Sequence, residues 1–152
     1  MSALFIDTSA LAKRYLDEVG ASWIQQQIEA EASPANIIFL SELGIVEMFS
    51  LLVRRERNHE ITPEAAERLR QAFLAHVAYQ YLVVPVDTTV FVEARAVVLK
   101  HRLRALDAIQ LACARRAQKE WEEPITFVTA DRELLAAASA EGFSTANPND
   151  YS

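Results

Sequence analysis

Four carboxylates in this sequence stand where a charge is costly: Asp7, Glu47, Asp107 and Asp131. Asp7 and Asp131 each follow a short apolar run, Leu4-Phe5-Ile6 and Phe127-Val128-Thr129, and each precedes a helical pattern. Glu47 lies within Leu43-Gly44-Ile45-Val46-Glu47-Met48-Phe49-Ser50-Leu51-Leu52-Val53, apolar nearly all round, which predicts a buried helix. A carboxylate there is expected to be paired, protonated or bound to a metal. Asp107 opens a second largely apolar helix, Leu106-Asp107-Ala108-Ile109-Gln110-Leu111-Ala112-Cys113-Ala114. Taken singly, each acid has a plain alternative: helix capping for Asp7 and Asp131, a buried salt bridge for Glu47, a dipole complement for Asp107. Taken together, acids from separate segments that converge on one pocket repel one another, and a divalent cation removes that cost. An oxygen-only donor set favours Mg2+ or Mn2+ over zinc. Such ions activate water and stabilise the charge that develops on attack, so the matching chemistry is phosphodiester hydrolysis. Glu42, Asp87 and Asp150 are weaker candidates, at ordinary helix starts or near a terminus.

Other chemistries lack their residues. Gly20, Gly44 and Gly142 are too far apart for a dinucleotide fingerprint or a P-loop, and His59, His76 and His101 form no HExxH pair. There is no GxSxG elbow. A phosphatase with Asp7 as covalent nucleophile needs a second acid two residues on, where Ser9 stands, and a receiver domain would want paired acids early. The single cysteine, Cys113, permits neither an intrachain disulfide nor a cysteine-based zinc site. With a net charge of −6 the chain has no general attraction for polyanions, so a nucleic acid must be held by local cations or by metal. Of the basic clusters, Arg102 and Arg104 immediately precede Asp107 and are the better candidates for phosphate contact, against the alternative of complementing a helix carboxyl end.

These residues need elements to position them. Leu4–Ile6, Ile37–Leu40, Leu82–Val86, Ile125–Thr129 and Phe143–Ala146 read as short strands, with Pro85 marking an edge or strand end. Helices are expected over 8–19, 21–31, 41–58, 62–80, 88–102, 106–121 and 131–141, punctuated by Gly20 and Gly142 and by the start Thr62-Pro63-Glu64. A loop is expected at Ser33–Asn36. Strands separated by helices need crossovers, which predicts a mostly parallel sheet of four or five short strands in a three-layer α/β/α domain. In that arrangement Asp7 and Asp131 share the carboxyl edge of the sheet, where ligands bind in open α/β folds.

At 152 residues, 51% of them hydrophobic and 24% charged, one domain over 1–152 with an ordinary core is expected. No uncharged run reaches the ~20 residues of a bilayer span, and the amino terminus lacks a basic signal region, so a cytoplasmic protein is expected.

In order, Phe5-Ile6-Asp7-Thr8-Ser9, Ser41 followed six residues on by Glu47, Leu106-Asp107-Ala108 and Val128-Thr129-Ala130-Asp131 resemble the PIN-domain ribonucleases, and the length resembles the VapC toxins of toxin–antitoxin pairs. The resemblance covers nearly the whole chain. It implies a Mg2+- or Mn2+-dependent endoribonuclease acting on RNA, usually a homodimer, silenced by a small antitoxin protein. By position it assigns Asp7, Glu47, Asp107 and Asp131 to the acidic site, Asp7 and Asp107 foremost as metal ligands, with Thr8 or Thr129 orienting water or phosphate. It implies an antitoxin segment laid near Trp23 or Phe49, residues that core packing accounts for equally well. The competing expectation is a PIN-like RNA- or protein-binding module without activity.

Overall fold

The computed structural model describes residues 2–29 and 35–151. Five strands, β1 (Ala3–Ile6), β2 (Ile37–Ser41), β3 (Leu82–Val84), β4 (Ile125–Val128) and β5 (Ser144–Ala146), form one sheet in the order β3-β2-β1-β4-β5. Every pairing is parallel, with Phe5 level with Phe39 on one side and Phe127 on the other. β3 is an edge, as Pro85 predicted.

Alternation along the strands separates two cores. Ala3, Phe5, Phe39, Ile125 and Phe127 face a layer made by α5 (Thr88–His101), α6 (Ala105–Glu120) and α7 (Arg132–Ala140). Leu4, Ile6, Ile38, Leu40 and Val128 face α1 (Thr8–Leu11), α2 (Ala21–Ile28), α3 (Glu42–Arg57) and α4 (Pro63–Tyr79). The expected three-layer α/β/α arrangement follows, because a sheet with both faces apolar needs helices on both. The caps follow local chemistry: Ser41 Oγ accepts from Leu43 N–H (3.1 Å), Thr62 Oγ1 from Ala65 N–H (3.0 Å) and Asp87 Oδ1 from Val90 N–H (3.2 Å). No helix among the described residues is long and apolar enough to cross a membrane.

Two expectations are corrected. The helix over 8–19 stops at Leu11 and continues only as a 3-10 turn, Ala12–Arg14. The tighter turn coincides with Arg14 Nη1 donating to the Tyr81 hydroxyl (2.6 Å) and to Gln80 Oε1 (2.9 Å), partners far along the chain. Val19, the last residue of that expected helix, is 58% exposed. Gly20 opens α2 rather than closing α1, at φ 86°. The second correction concerns α3, which is not buried all round. It buries Gly44, Met48 and Leu52 against the sheet and leaves Val46 67% exposed, because it is an outer layer with solvent behind it. Part of the expected loop at 33–36 and the end of the expected helix at 30–31 lie outside the described residues.

Candidate active site

The chain passes from β1 to β2 and β3 on one side, then returns to add β4 and β5 on the other, so strand order reverses between β1 and β4. Open parallel sheets bind ligands at the carboxyl ends flanking such a reversal. Asp7 follows β1 there, and Thr129 and Asp131 follow β4.

Asp7 is 4% exposed, and its carboxylate is held from three directions. Oδ1 accepts from the Ala10 N–H (3.0 Å), capping α1, and from the Ser9 hydroxyl (2.8 Å); Oδ2 accepts from the Thr129 hydroxyl (2.6 Å). Burial outweighs these donors and raises its pKa from 3.8 to about 6, with the negative charge of Asp107 adding to the rise. Capping and site placement are therefore compatible for Asp7. The same holds for Asp131, whose Oδ1 accepts from Glu133 N–H (2.9 Å) and Leu134 N–H (3.1 Å) at the start of α7.

Thr129 ties the two acids together. Its Oγ1 donates to Asp7 and accepts from the Asp131 N–H (3.0 Å). Ser9 completes this floor, taking the Ala130 N–H on its Oγ at 3.1 Å.

Asp107 lies in the first turn of α6, where Arg104 stands at the N-cap without making a side-chain cap. Partial burial raises its pKa, and the charges of Asp131, Glu47 and Glu133 push in the same direction against the opposing charge of Arg104. Asp107 thus feels Asp7, Glu47 and Asp131 within one electrostatic field. The guanidinium of Arg104, 84% exposed, lies 3.9 Å from Asp107 Oδ2 and 4.0 Å from Asp131 Oδ2. Arg102 takes a left-handed conformation (φ 56°) at the end of α5, and with His101, Glu133, Ala136 and Ala137 it lines a recess of about 400 Å³.

Glu47 is half-buried in α3 and is not paired with an arginine among the described residues. Its Oε1 accepts from the Thr8 hydroxyl (2.9 Å) and from Gln110 Nε2 (2.7 Å), and Gln110 Nε2 also reaches Thr8 Oγ1 (3.2 Å). Gly44 faces this triangle, and a Cβ there would meet Thr8 Oγ1 (3.6 Å) and Gln110 Nε2 (3.8 Å) at ordinary van der Waals distance. Gln110 Oε1 is buried without a hydrogen-bond partner among the described residues, a state that costs about 1–3 kcal/mol. Sequence reasoning passed over Gln110 and Ser9. The available signal for Gln110 was its spacing, three residues after Asp107 on the same helix face in an otherwise small and apolar stretch.

Among the described residues no three His, Cys, Asp or Glu side chains stand close enough to chelate one ion as a set. What the fold assembles is a group of carboxylates around the sheet edge, coupled through charge, interleaved with hydroxyls, one orphaned amide oxygen and one arginine. The donor set is all oxygen, and its mutual repulsion and its unpartnered Oε1 fit a hard, hydrated divalent cation that keeps part of its water shell. Glu42 and Asp87 serve structure instead: Glu42 Oε2 takes the Val86 N–H (3.0 Å) and Asp87 pairs with Arg116. Trp23 stacks on Tyr151 with ring centroids 4.5 Å apart, and Phe49 packs at the margin of the second core.

Comparison with known proteins bears on the family and the fold. The PIN domain family matches residues 4–140. Ribonuclease VapC47 of Mycobacterium tuberculosis (strain CDC 1551 / Oshkosh) is 29% identical over 149 residues, 95% of this chain and 96% of that one. Among solved structures, PAE2754 from Pyrobaculum aerophilum superposes with a TM-score of 0.69 at 19% identity, covering 98% of this chain and 91% of the other. A toxin–antitoxin complex from Klebsiella pneumoniae superposes at 0.62 and 16% identity, covering 95% and 97%.

Proposed function

The chain belongs to the PIN domain family, and from that membership we propose that it is a ribonuclease of the VapC kind, hydrolysing RNA phosphodiester bonds with the aid of Mg2+ or Mn2+. The observation that carries the proposal is the convergence of Asp7, Glu47, Asp107 and Asp131, from four separate segments, on one sheet edge where Asp107 feels the other three. The near relation to a protein named as a ribonuclease supports the substrate class.

A divalent cation held by Asp7 and Asp107, with Glu47 and Asp131 beside them, would neutralise the cluster, lower the pKa of water and balance charge on the phosphate. The chain's own groups do the rest. Thr129 and Ser9 fix the Asp7 carboxylate, and Thr8 and Gln110 fix Glu47. Arg104 leaves Asp107 and Asp131 to take a phosphate oxygen when RNA enters, with Arg102 as a flanking contact. The proposed partners are RNA, a second copy of the chain and a small antitoxin protein, in the cytoplasm. Apolar side chains exposed on α5 (Phe91, Val92, Leu99) and beside the acids (Val46, Leu106) are surface such partners would cover. The antitoxin is supported by the structural neighbour solved as a toxin–antitoxin complex.

The spacing of the acids, with no tight three-ligand set among the described residues, favours one second reading, an RNA- or protein-binding module without activity. Incubating RNA with Mg2+, with chelator, and with Asp7→Asn or Asp107→Asn separates the two. Cleavage by the wild type with Mg2+ alone supports the nuclease, and cleavage in no condition supports the module. Cleavage surviving chelator and both substitutions removes the acidic site from the reaction.

A further inference from the structure

Gln110 is 3% exposed, sealed in α6 between Ala108, Leu111 and Ala112, which are fully buried. Its orientation follows from its neighbours: only the NH2 end of an amide can face two oxygens, one of them on a carboxylate, so Nε2 points to Glu47 and Thr8 and Oε1 is left over. Folded interiors leave few such acceptors without a donor, and those that persist mark a missing water or ion, or a functional group. A methionine would fill the same space without an orphaned atom. The amide is also unnecessary for attaching α3 to the sheet, which Met48 and Leu52 do through the core.

We propose that Gln110 is a positioning residue of the acidic site: Nε2 clamps Glu47 through Oε1 so that Oε2 is presented to the cation. The inference rests on the cation-dependent reading above. It accounts for an amide kept at the cost of an orphaned acceptor, and it gives Glu47, the one acid of the four on neither a strand end nor a helix start, a fixed orientation such as Asp7 and Asp131 get from backbone amides and, for Asp7, from Thr129. Partners that orient a ligating carboxylate without touching the ion typically change metal affinity 10–100-fold when removed.

The test is Mn2+ binding, read as loss of the free-ion paramagnetic resonance signal, together with thermal melting of the metal-free protein, for wild type, Gln110→Met and Gln110→Asn. Gln110→Met is expected to melt as cooperatively as wild type while binding Mn2+ 10–100-fold more weakly. Mn2+ affinity unchanged in Gln110→Met, whatever its metal-free melting temperature, would mean that Gln110 only packs and overturns the proposal. Should Gln110→Met not fold, Gln110→Asn, whose amide stops one methylene short of Glu47, is expected to bind at least 10-fold more weakly, and wild-type affinity in it overturns the proposal equally. A wild type that takes up no Mn2+ sinks the cation reading and this inference with it. Uptake by the wild type matched in both variants sinks the role of Gln110 alone.

Discussion

Thr129 donates its hydroxyl hydrogen to Oδ2 of Asp7 across 2.6 Å, joining the ends of two neighbouring strands whose residues lie 122 positions apart. The Thr129 hydroxyl oxygen in turn accepts from the Asp131 N–H, so one side chain sets the spacing between two candidate site acids. Thr129→Val keeps the shape and removes both bonds. It is expected to destabilise the protein by about 1–3 kcal/mol in urea titration near neutral pH, because a buried carboxylate loses a donor. It should also raise the Asp7 pKa further, moving the acid limb of any cleavage profile to higher pH. An unchanged unfolding midpoint would refute the link.

The Asp7 pKa, raised from 3.8 to about 6 by burial, makes stability fall with rising pH. Below about 3.8 Asp7 is protonated folded and unfolded alike, and this contribution is fully present. Between about 4 and 6 the unfolded chain ionises while the folded one holds its proton, so stability is lost. Above about 6 the loss is complete, and at 1.36 kcal/mol per pKa unit it is on the order of 3 kcal/mol. Asp107, raised in the same direction, adds to it. Urea titrations in chelator should show this decline in wild type and a flatter curve in Asp7→Asn. That variant is expected to be more stable than wild type at pH 7.5 and to have lost cleavage at least 100-fold. A wild type whose stability rises from pH 4.5 to 7.5 as steeply as that of Asp7→Asn would contradict the burial argument.

Arg104 is mostly exposed and lies at the outer margin of ion-pair distance from Asp107 and Asp131, so its removal should barely alter stability. As the proposed phosphate contact, its loss should be felt in binding. Arg104→Gln is expected to melt within a degree or two of wild type, to weaken RNA binding severalfold and to reduce the slope of log affinity against log salt by about 1. An unaltered salt slope would remove Arg104 from the RNA path.

Gly20 sits at φ 86°, and a Cβ there would come 2.4 Å from the carbonyl oxygen of Pro148. Both the backbone angle and the contact with the carboxyl-terminal turn exclude a side chain. Gly20→Ala is expected to cost about 1–3 kcal/mol by strain and displacement, and to expose the segment after Ala146 to protease, since that turn and the Trp23–Tyr151 stack would lift together. Resistance to limited proteolysis equal to that of wild type would argue against the contact.

The sequence by itself pointed to most of the elements and singled out four acids as candidates. Short apolar runs ending at Asp7, Ser41 and Val128, caps at Ser41, Thr62 and Asp87, and the missing hairpin turns leave little besides a parallel sheet between helices, because those signals act over a few residues. Asp7, Glu47, Asp107 and Asp131 were legible because a charge in or at the end of an apolar element is costly and so stands out. Tertiary structure alone decided the rest. It placed the strand-order reversal between β1 and β4, broke the first helix at Leu11 where Arg14 meets Tyr81, and left one face of α3 in solvent. It also put Gln110 on Glu47 and Arg104 between Asp107 and Asp131. The pairs Arg14–Tyr81, Glu47–Gln110 and Arg104–Asp131 lie 67, 63 and 27 positions apart, and only packing chooses which distant groups meet.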